Sequence, residues 1–284
     1  MAPICNRLRR NRSPALRNPI DGKDKLEAAQ FWLADTLAAP VAARSNDIGW
    51  IIDRVPAGPS ICYRKQISPS MEMLMRIAII GAGNVGSALG RAWLGSGEDV
   101  IFGVPNPAAS KYSSLPGERL RTGPEAARSA EVVVLATPWP ATEAAVKSLG
   151  DLSGRIVIDC TNPLGMGSNG LELVLGHTTS AGEQVASWAP GAAVFKTLNQ
   201  IGADSMDKAP LFPVRPVMFI AGDDPAKKPV VMSLVAKLGF EPVDAGPLRI
   251  ARLLEPYGML WIDQALNRGR GQSFAFAITN RCGE

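Results

Sequence analysis

The chain has 284 residues, 46% of them hydrophobic and 20% charged, with a mean hydropathy of +0.06. That balance suits a folded protein with one large core or two smaller ones, and it excludes the highly charged, weakly apolar composition of a disordered chain. The net charge of +4 lies wholly in residues 1–74, where Lys and Arg outnumber Asp and Glu by four, so no basic nucleic-acid-binding face is expected on the rest.

From Met1 to Ser70 no sustained period appears. Arg7, Arg9, Arg10, Arg12 and Arg17 precede the first acidic residue, Asp21, and seven prolines punctuate the stretch from Pro3 to Pro69. Only Lys25–Ala38 reads as a helix, with Leu26, Ala29, Leu33 and Leu37 on one stripe. Residues 1–74 are therefore read as an N-terminal extension, unstructured or translated ahead of the true start, with Met71, Met73 and Met75 just before the first strong strand. An Arg-rich, acid-poor start also fits a targeting peptide, but it lacks the apolar core of a secretory signal.

The remainder reads as alternating strands and helices. Arg76–Ile80 is a short β-branched run without alternation, as expected of a strand buried on both faces. After it, Val85, Ala88, Leu89, Ala92 and Trp93 keep helical spacing as far as Gly95–Gly97. Asp99–Val104, Glu131–Ala136 and Arg155–Asp159 are further strands. A helix starting near Pro140 and ending at Gly150 lies between the last two. Val217–Ala221, a helix over Ala226–Leu238 and Glu241–Ala245 repeat the unit, with Asp223 and Asp224 as N-cap and dipole partners of that helix. A last helix spans Leu248 to about Leu266, with Leu253, Leu254, Tyr257, Leu260 and Trp261 as its buried side. Repeated strand, helix, strand order implies an α/β fold, a Rossmann-type parallel sheet with a smaller C-terminal α/β part. The boundaries expected are 75–190 for the first and 191–284 for the second.

Gly81-Ala82-Gly83-Asn84-Val85-Gly86 sits between the first strand and the first helix. In that position Gly81 permits the tight bend, Gly83 lets the backbone approach a pyrophosphate, and Gly86 lets the helix pack close to the strand. Backbone N–H groups at the helix start then hold the anion. A lone GxGxxG is weak, but a strand before it and a helix after it are the context that dinucleotide binding requires. The second strand ends in Gly103-Val104-Pro105-Asn106-Pro107, without the acidic residue that would favour NAD or an Arg for the 2′-phosphate of NADP. Asn106 could bind either ribose, Lys111 is the nearest cation, and the lack of Asp or Glu tilts the reading to NADP(H) while leaving NAD open.

Few residues suit other chemistry. The only His is His177, and the four Cys at 5, 62, 160 and 282 form no CxxC, so neither a metal site nor a disulfide framework is expected. A reducing cytoplasm is the expected compartment. No apolar run approaches the roughly 20 residues of a membrane-spanning helix. The partners expected are small molecules, not nucleic acid and not a membrane.

Six segments in order carry a family likeness: Met75–Gly86, Ala136-Thr-Pro-Trp139, Asp159-Cys-Thr-Asn-Pro-Leu164, Lys196-Thr-Leu-Asn199, Phe219–Asp224 and Asp244–Leu248. From Met75 to Ala277 the chain resembles the F420-dependent NADP oxidoreductase family. The resemblance implies a Rossmann domain, a homodimer, NADP as cofactor and coenzyme F420 or a flavin as co-substrate. Pro105 stands where many members have an Arg.

Hydride transfer between a nicotinamide and a flavin-like ring needs two rings stacked in a dry cleft, with the protein positioning them. Thr137, Pro138 and Trp139 leave one strand at its carboxyl end, where such sheets bind ligands, and Asn162 and Pro163 leave the next. Backbone groups of the first set would hold the nicotinamide ribose, with Trp139 as a wall, and Asn162 would bond the carboxamide or the second ring. Lys196 and Asn199 are the candidate catalytic pair: they could protonate and orient a small imine or β-hydroxy acid, the rival reading. Against that, Lys196 could simply pair with a carboxylate. A third reading is a non-catalytic nucleotide sensor.

Overall fold

The computed structural model describes residues 74–168 and 170–281. The expected N-terminal extension and the Lys25–Ala38 helix lie outside the described residues.

Among the described residues ten strands and seven α-helices follow in chain order. They are β1 Arg76–Ile80, α1 Asn84–Gly95, β2 Asp99–Gly103, β3 Leu120–Arg121, α2 Gly123–Ser129, β4 Val132–Leu135, α3 Trp139–Ser148 and β5 Ile156–Asp159. Next come β6 Leu164–Gly167, β7 Gly170–Leu173, α4 Ala181–Trp188, β8 Ala193–Lys196, the single turn α5 Ala203–Met206, β9 Val217–Gly222, α6 Lys228–Lys237, β10 Glu241–Gly246 and α7 Ala251–Leu266.

Eight strands make one sheet in the order β10-β9-β8-β5-β4-β1-β2-β3, and β6 and β7 pair as a separate antiparallel hairpin. Every neighbouring pair in the large sheet is parallel except β8 with β9, which run antiparallel through Phe195–Gly222 and Lys196–Ala221. The Rossmann-type α/β arrangement is thus present. The C-terminal strands extend the sheet of the N-terminal ones past a single antiparallel junction.

Both faces of the sheet are covered, which explains the unbroken apolar runs. On one face Ile77, Ile79, Val132, Val134, Ile156 and Ile158 pack with Leu89 and Trp93 of α1. On the other, Ala78, Ile80, Val133, Leu135 and Val157 meet Ala126, Val146 and Val185 from the opposite helices. Burying each large aliphatic side chain contributes about 1.5–3 kcal/mol. Trp93 also donates its indole N–H to the Leu234 carbonyl at 3.0 Å, tying α1 to α6 across 141 residues of chain.

The elements with strong periodicity sit within a residue or two of expectation, and three differences have physical causes. Leu254 and Trp261 of α7 are buried as expected, but Leu253 and Leu260, expected with them, are 65% and 51% exposed, and Glu255, Gly258 and Ala265 face in. A helix with apolar residues on most of its circumference leaves the buried stripe undetermined, and here the stripe includes a glycine and a glutamate. The α6 helix begins at Lys228, two residues late. Asp224 still serves its start, accepting from the Ala226 and Lys227 amides, but Asp223 bonds the Leu248 amide and is not part of the cap. The β6–β7 hairpin carries too little apolar alternation to be read, and it follows directly on Pro163.

Candidate functional site

The glycine loop has the three distinct geometries that close approach of a diphosphate requires. Gly81 has φ of +101°, a left-handed value that side chains rarely adopt, and a β-carbon there would lie 2.6 Å from the Ala136 carbonyl oxygen. At Gly83 a β-carbon would meet nothing within 4 Å: the space in front of that backbone is open. At Gly86 it would lie 2.0 Å from the Gly81 carbonyl oxygen, which is why the helix can start so close to the strand. The first turn of α1 begins with Gly83 in extended conformation as N-cap, and Ser87 donates its hydroxyl to Ala82 O at 3.1 Å, pinning the loop beneath the turn. Amides at a helix start lack intrahelical acceptors, so the region from Ala82 to Val85 can receive a diphosphate along the helix dipole.

At the end of β2, Asn106 is exposed and its Oδ1 accepts from the Ala108 amide at 3.1 Å, closing a local turn. Lys111 is exposed, with its ammonium 5.0 Å from the centre of the Tyr112 ring. Among the described residues neither has a carboxylate partner that would oppose an extra phosphate there.

Two candidate groups at the carboxyl ends of β4 and β5 are fixed by neighbours. Thr137 and Thr142 share a hydroxyl hydrogen bond of 2.9 Å, which holds Pro138 at the start of α3. Trp139 stacks on Trp188 of α4, centroids 5.5 Å apart and planes at 28°, and stays half-buried. Its wall is therefore shared with a second ring that the sequence did not single out. Asn162 and Asn199 come together in a reciprocal pair: Asn162 Nδ2 donates to the Asn199 carbonyl, and Asn199 Nδ2 donates to Asn162 Oδ1, both at 3.0 Å. Asn199 Nδ2 also donates to the Leu254 carbonyl of α7 at 3.0 Å. Asn199 is buried and Asn162 half-exposed, so of the pair only Asn162 keeps surface that a ligand could reach.

Lys196 does not join Asn199. Its side chain is 0% exposed, and Nζ donates to Asp159 Oδ2 at 2.9 Å and to the Thr161 carbonyl, with Glu255 Oε1 at 3.2 Å. An ammonium has three N–H groups, and three protein oxygens receive them. Burial alone would lower the Lys196 pKa, but the two carboxylates more than offset it and the net direction is upward. Burial raises the Glu255 pKa above the ordinary range, against the opposing pull of Lys196 and of the Ala181 and Gly182 amides. Glu255 and Asp159 were not singled out from the sequence; Glu255 sits beside Leu254 on a helix whose expected buried side was all apolar, and a lone Glu there gives no signal.

Two further features mark the same turn. Leu198, fully buried, has φ of +60°, a strained value for a side chain of that size. The hydroxyls of Thr161 and Thr197 are buried and have no hydrogen-bond partner. Cys160 is buried as well, and desolvation pushes its thiol far up, so it is inert as a nucleophile. His177 is exposed, with φ of +57°, away from this network. Among the described residues no cluster of His, Cys, Asp and Glu could hold a metal ion, and no helix is long and apolar enough to cross a membrane.

A mostly parallel sheet with a glycine loop of this geometry after β1, and polar side chains just past the carboxyl ends of β4, β5 and β8, defines a dinucleotide-dependent enzyme of the Rossmann type. Residues 76–163 match the family model described as NADP oxidoreductase, coenzyme F420-dependent. The chain is 30% identical over 225 residues to the F420-dependent NADP reductase of Methanothermobacter thermautotrophicus, covering 73% of this chain and 96% of that protein. The structure assigned to F420-dependent NADP reductases from Arthrobacter sp. FB24 superposes with a TM-score of 0.67 at 32% identity, covering 72% of this chain and all of that one. Rat metalloreductase STEAP3 is 32% identical over 183 residues; the match takes in 63% of this chain but only 36% of that longer protein. The chain belongs to the F420-dependent NADP oxidoreductase family, and it is an NADP-dependent oxidoreductase.

Proposed function

We propose that the protein passes a hydride directly between NADP(H) and a planar flavin-like acceptor, coenzyme F420 or a flavin, with no side chain relaying a proton. NADP(H) supplies the hydride chemistry at its nicotinamide. The chain binds and orients: amides from Ala82 to Val85 hold the diphosphate, Asn106 and Lys111 face the adenosine ribose, and Thr137 to Trp139 flank the nicotinamide ribose. Asn162 and Pro163 lie where the carboxamide or the second ring would rest.

The observation that carries this reading is the saturation of Lys196. A lysine with no exposed surface and all three N–H groups taken has no donor left for an imine nitrogen or carbonyl oxygen. With Lys196 so engaged and His177 elsewhere, the crevice holds amides, threonines and asparagines, groups that position rings and do not titrate.

The test is an anaerobic assay of residues 75–284 with NADPH and NADH against coenzyme F420, FMN, FAD and a cyclic imine, and with NADP+ against a β-hydroxy acid. Turnover with a flavin or deazaflavin is expected. Turnover confined to the imine or the hydroxy acid would sink the reading.

A further inference from the structure

A four-residue turn, Lys196 to Asn199, leads out of β8, and both of its ends are tied to α7. Lys196 Nζ reaches Glu255 Oε1, and Asn199 Nδ2 reaches the carbonyl of Leu254, the residue before it. Between them lies Leu198 in a left-handed conformation that a leucine leaves unless its surroundings over-determine it. Glu255 is also the seat of a second helix: its Oε2 accepts from the Ala181 amide at 3.0 Å and its Oε1 from Gly182 at 3.1 Å, at the first turn of α4. One carboxylate thus gathers β8, α4 and α7 behind the Asn162–Asn199 pair, 1% exposed and out of reach of any ligand.

We propose that Glu255 is a positioning residue for the hydride acceptor, a latch that seats α7 and holds the strained Lys196–Asn199 turn, and with it the Asn162 side chain that pairs with Asn199. The inference rests on the ring-to-ring reading of the site. Lys196 stands on β8, which β5 and β4 separate from β1, the strand that leads into the glycine loop. Releasing it should therefore disturb the acceptor and leave the dinucleotide in place. A residue needed only for the fold would not separate the two.

Two variants test it, Glu255→Gln, which keeps size and one acceptor oxygen, and Glu255→Ala. In ¹⁵N-labelled protein the Asn162 and Asn199 side-chain amides should give slow-exchanging signals that Glu255→Gln moves and speeds at least tenfold, together with the Ala181 and Gly182 amides. NADPH Kd, measured by fluorescence, should stay within about twofold, while the KM for coenzyme F420 or FMN rises at least fivefold. Glu255→Ala should exceed Glu255→Gln in both readouts. Unchanged asparagine amides in a folded Glu255→Gln protein would overturn the latch, as would NADPH and acceptor binding weakening in step. If the wild type reduces no acceptor, the functional reading fails while the amide signals still decide the latch.

Discussion

Gly258 of α7 lies against Asn199 so closely that a β-carbon on it would stand 2.6 Å from the Asn199 carbonyl oxygen and 3.0 Å from Asn162 Oδ1. The helix can cover the asparagine pair only because that position has no side chain. Gly258→Ala must push α7 outward or break the pair, and overpacking of this kind costs about 1–3 kcal/mol. A lower Tm with a raised acceptor KM and unchanged NADPH binding is the expected outcome; an unaltered Tm would show that α7 is not seated there.

The glycines of the dinucleotide loop should fail in different ways. Gly83→Ala meets nothing in the protein, so the fold should stand while NADPH affinity drops at least tenfold, because the new methyl occupies the space the diphosphate needs. Gly86→Ala collides with the Gly81 carbonyl and should lower Tm before binding is even measured. Thermal melts with and without NADPH separate the two, and a Gly83→Ala protein that binds normally would refute a diphosphate at this loop.

Lys196→Met leaves Asp159 and Glu255 buried without their cation. Breaking a buried pair in this way costs about 3–5 kcal/mol. Loss of stability measured by denaturant, with the residual folded fraction still reducing a flavin-like acceptor, is expected. A stable Lys196→Met protein with more than a hundredfold lower turnover would instead mark Lys196 as a proton donor.

Two carboxylates that meet α7 should respond to pH with opposite sign. Glu183 takes both its oxygens to Arg252 at 2.7 and 2.8 Å, and that hydrogen bonding, foremost among the causes, holds its pKa below the ordinary 4.5. Its contribution is present above the ordinary value and is lost as pH falls through the lowered one. Glu255 is raised by burial, facing Lys196 and Asp159 from the strands and the Ala181 and Gly182 amides from α4. Its contribution is present below the ordinary value and is lost as pH rises through the raised one. Between pH 3 and 7 the Tm gap between wild type and Glu183→Gln should widen with pH, whereas Glu255→Gln should gain on wild type. Parallel slopes would contradict the pairing.

Pro105→Arg places a guanidinium at an exposed position at the end of β2, beside Asn106. A charge-assisted hydrogen bond to the 2′-phosphate is worth about 1.5–3 kcal/mol, roughly tenfold or more in Kd. NADPH should tighten while NADH does not, as read by titrating both; equal change in both would place the ribose elsewhere.

Strands β1, β2, β4 and β5 and helices α1 and α3 could be read because each is a local pattern: β-branched runs buried on two faces, a helix stripe closed by glycines, and Gly81, Gly83 and Gly86 set between a strand and a helix; the two-residue β3 and the short α2 carry no such period and were not read. Asn162 was found because it leaves a strand at its carboxyl end, and Asn199 as a polar residue three positions after Lys196. Their pairing was not legible, because 37 residues separate them and nothing in either segment refers to the other. Lys196 was read as a candidate acid from its residue type alone; its place in a dry network with Asp159 and Glu255 emerges only when β5, β8 and α7 meet.

Chain chemistry alone sufficed for the class of fold and for the dinucleotide loop, because hydrophobic periodicity and glycine conformations act over a few neighbouring residues. Packing settled the rest: which face of α7 is buried, which polar atoms are spent on one another, and which remain to meet a ligand. Those outcomes depend on desolvation and on contacts between segments far apart in the chain, and no short stretch of sequence contains them.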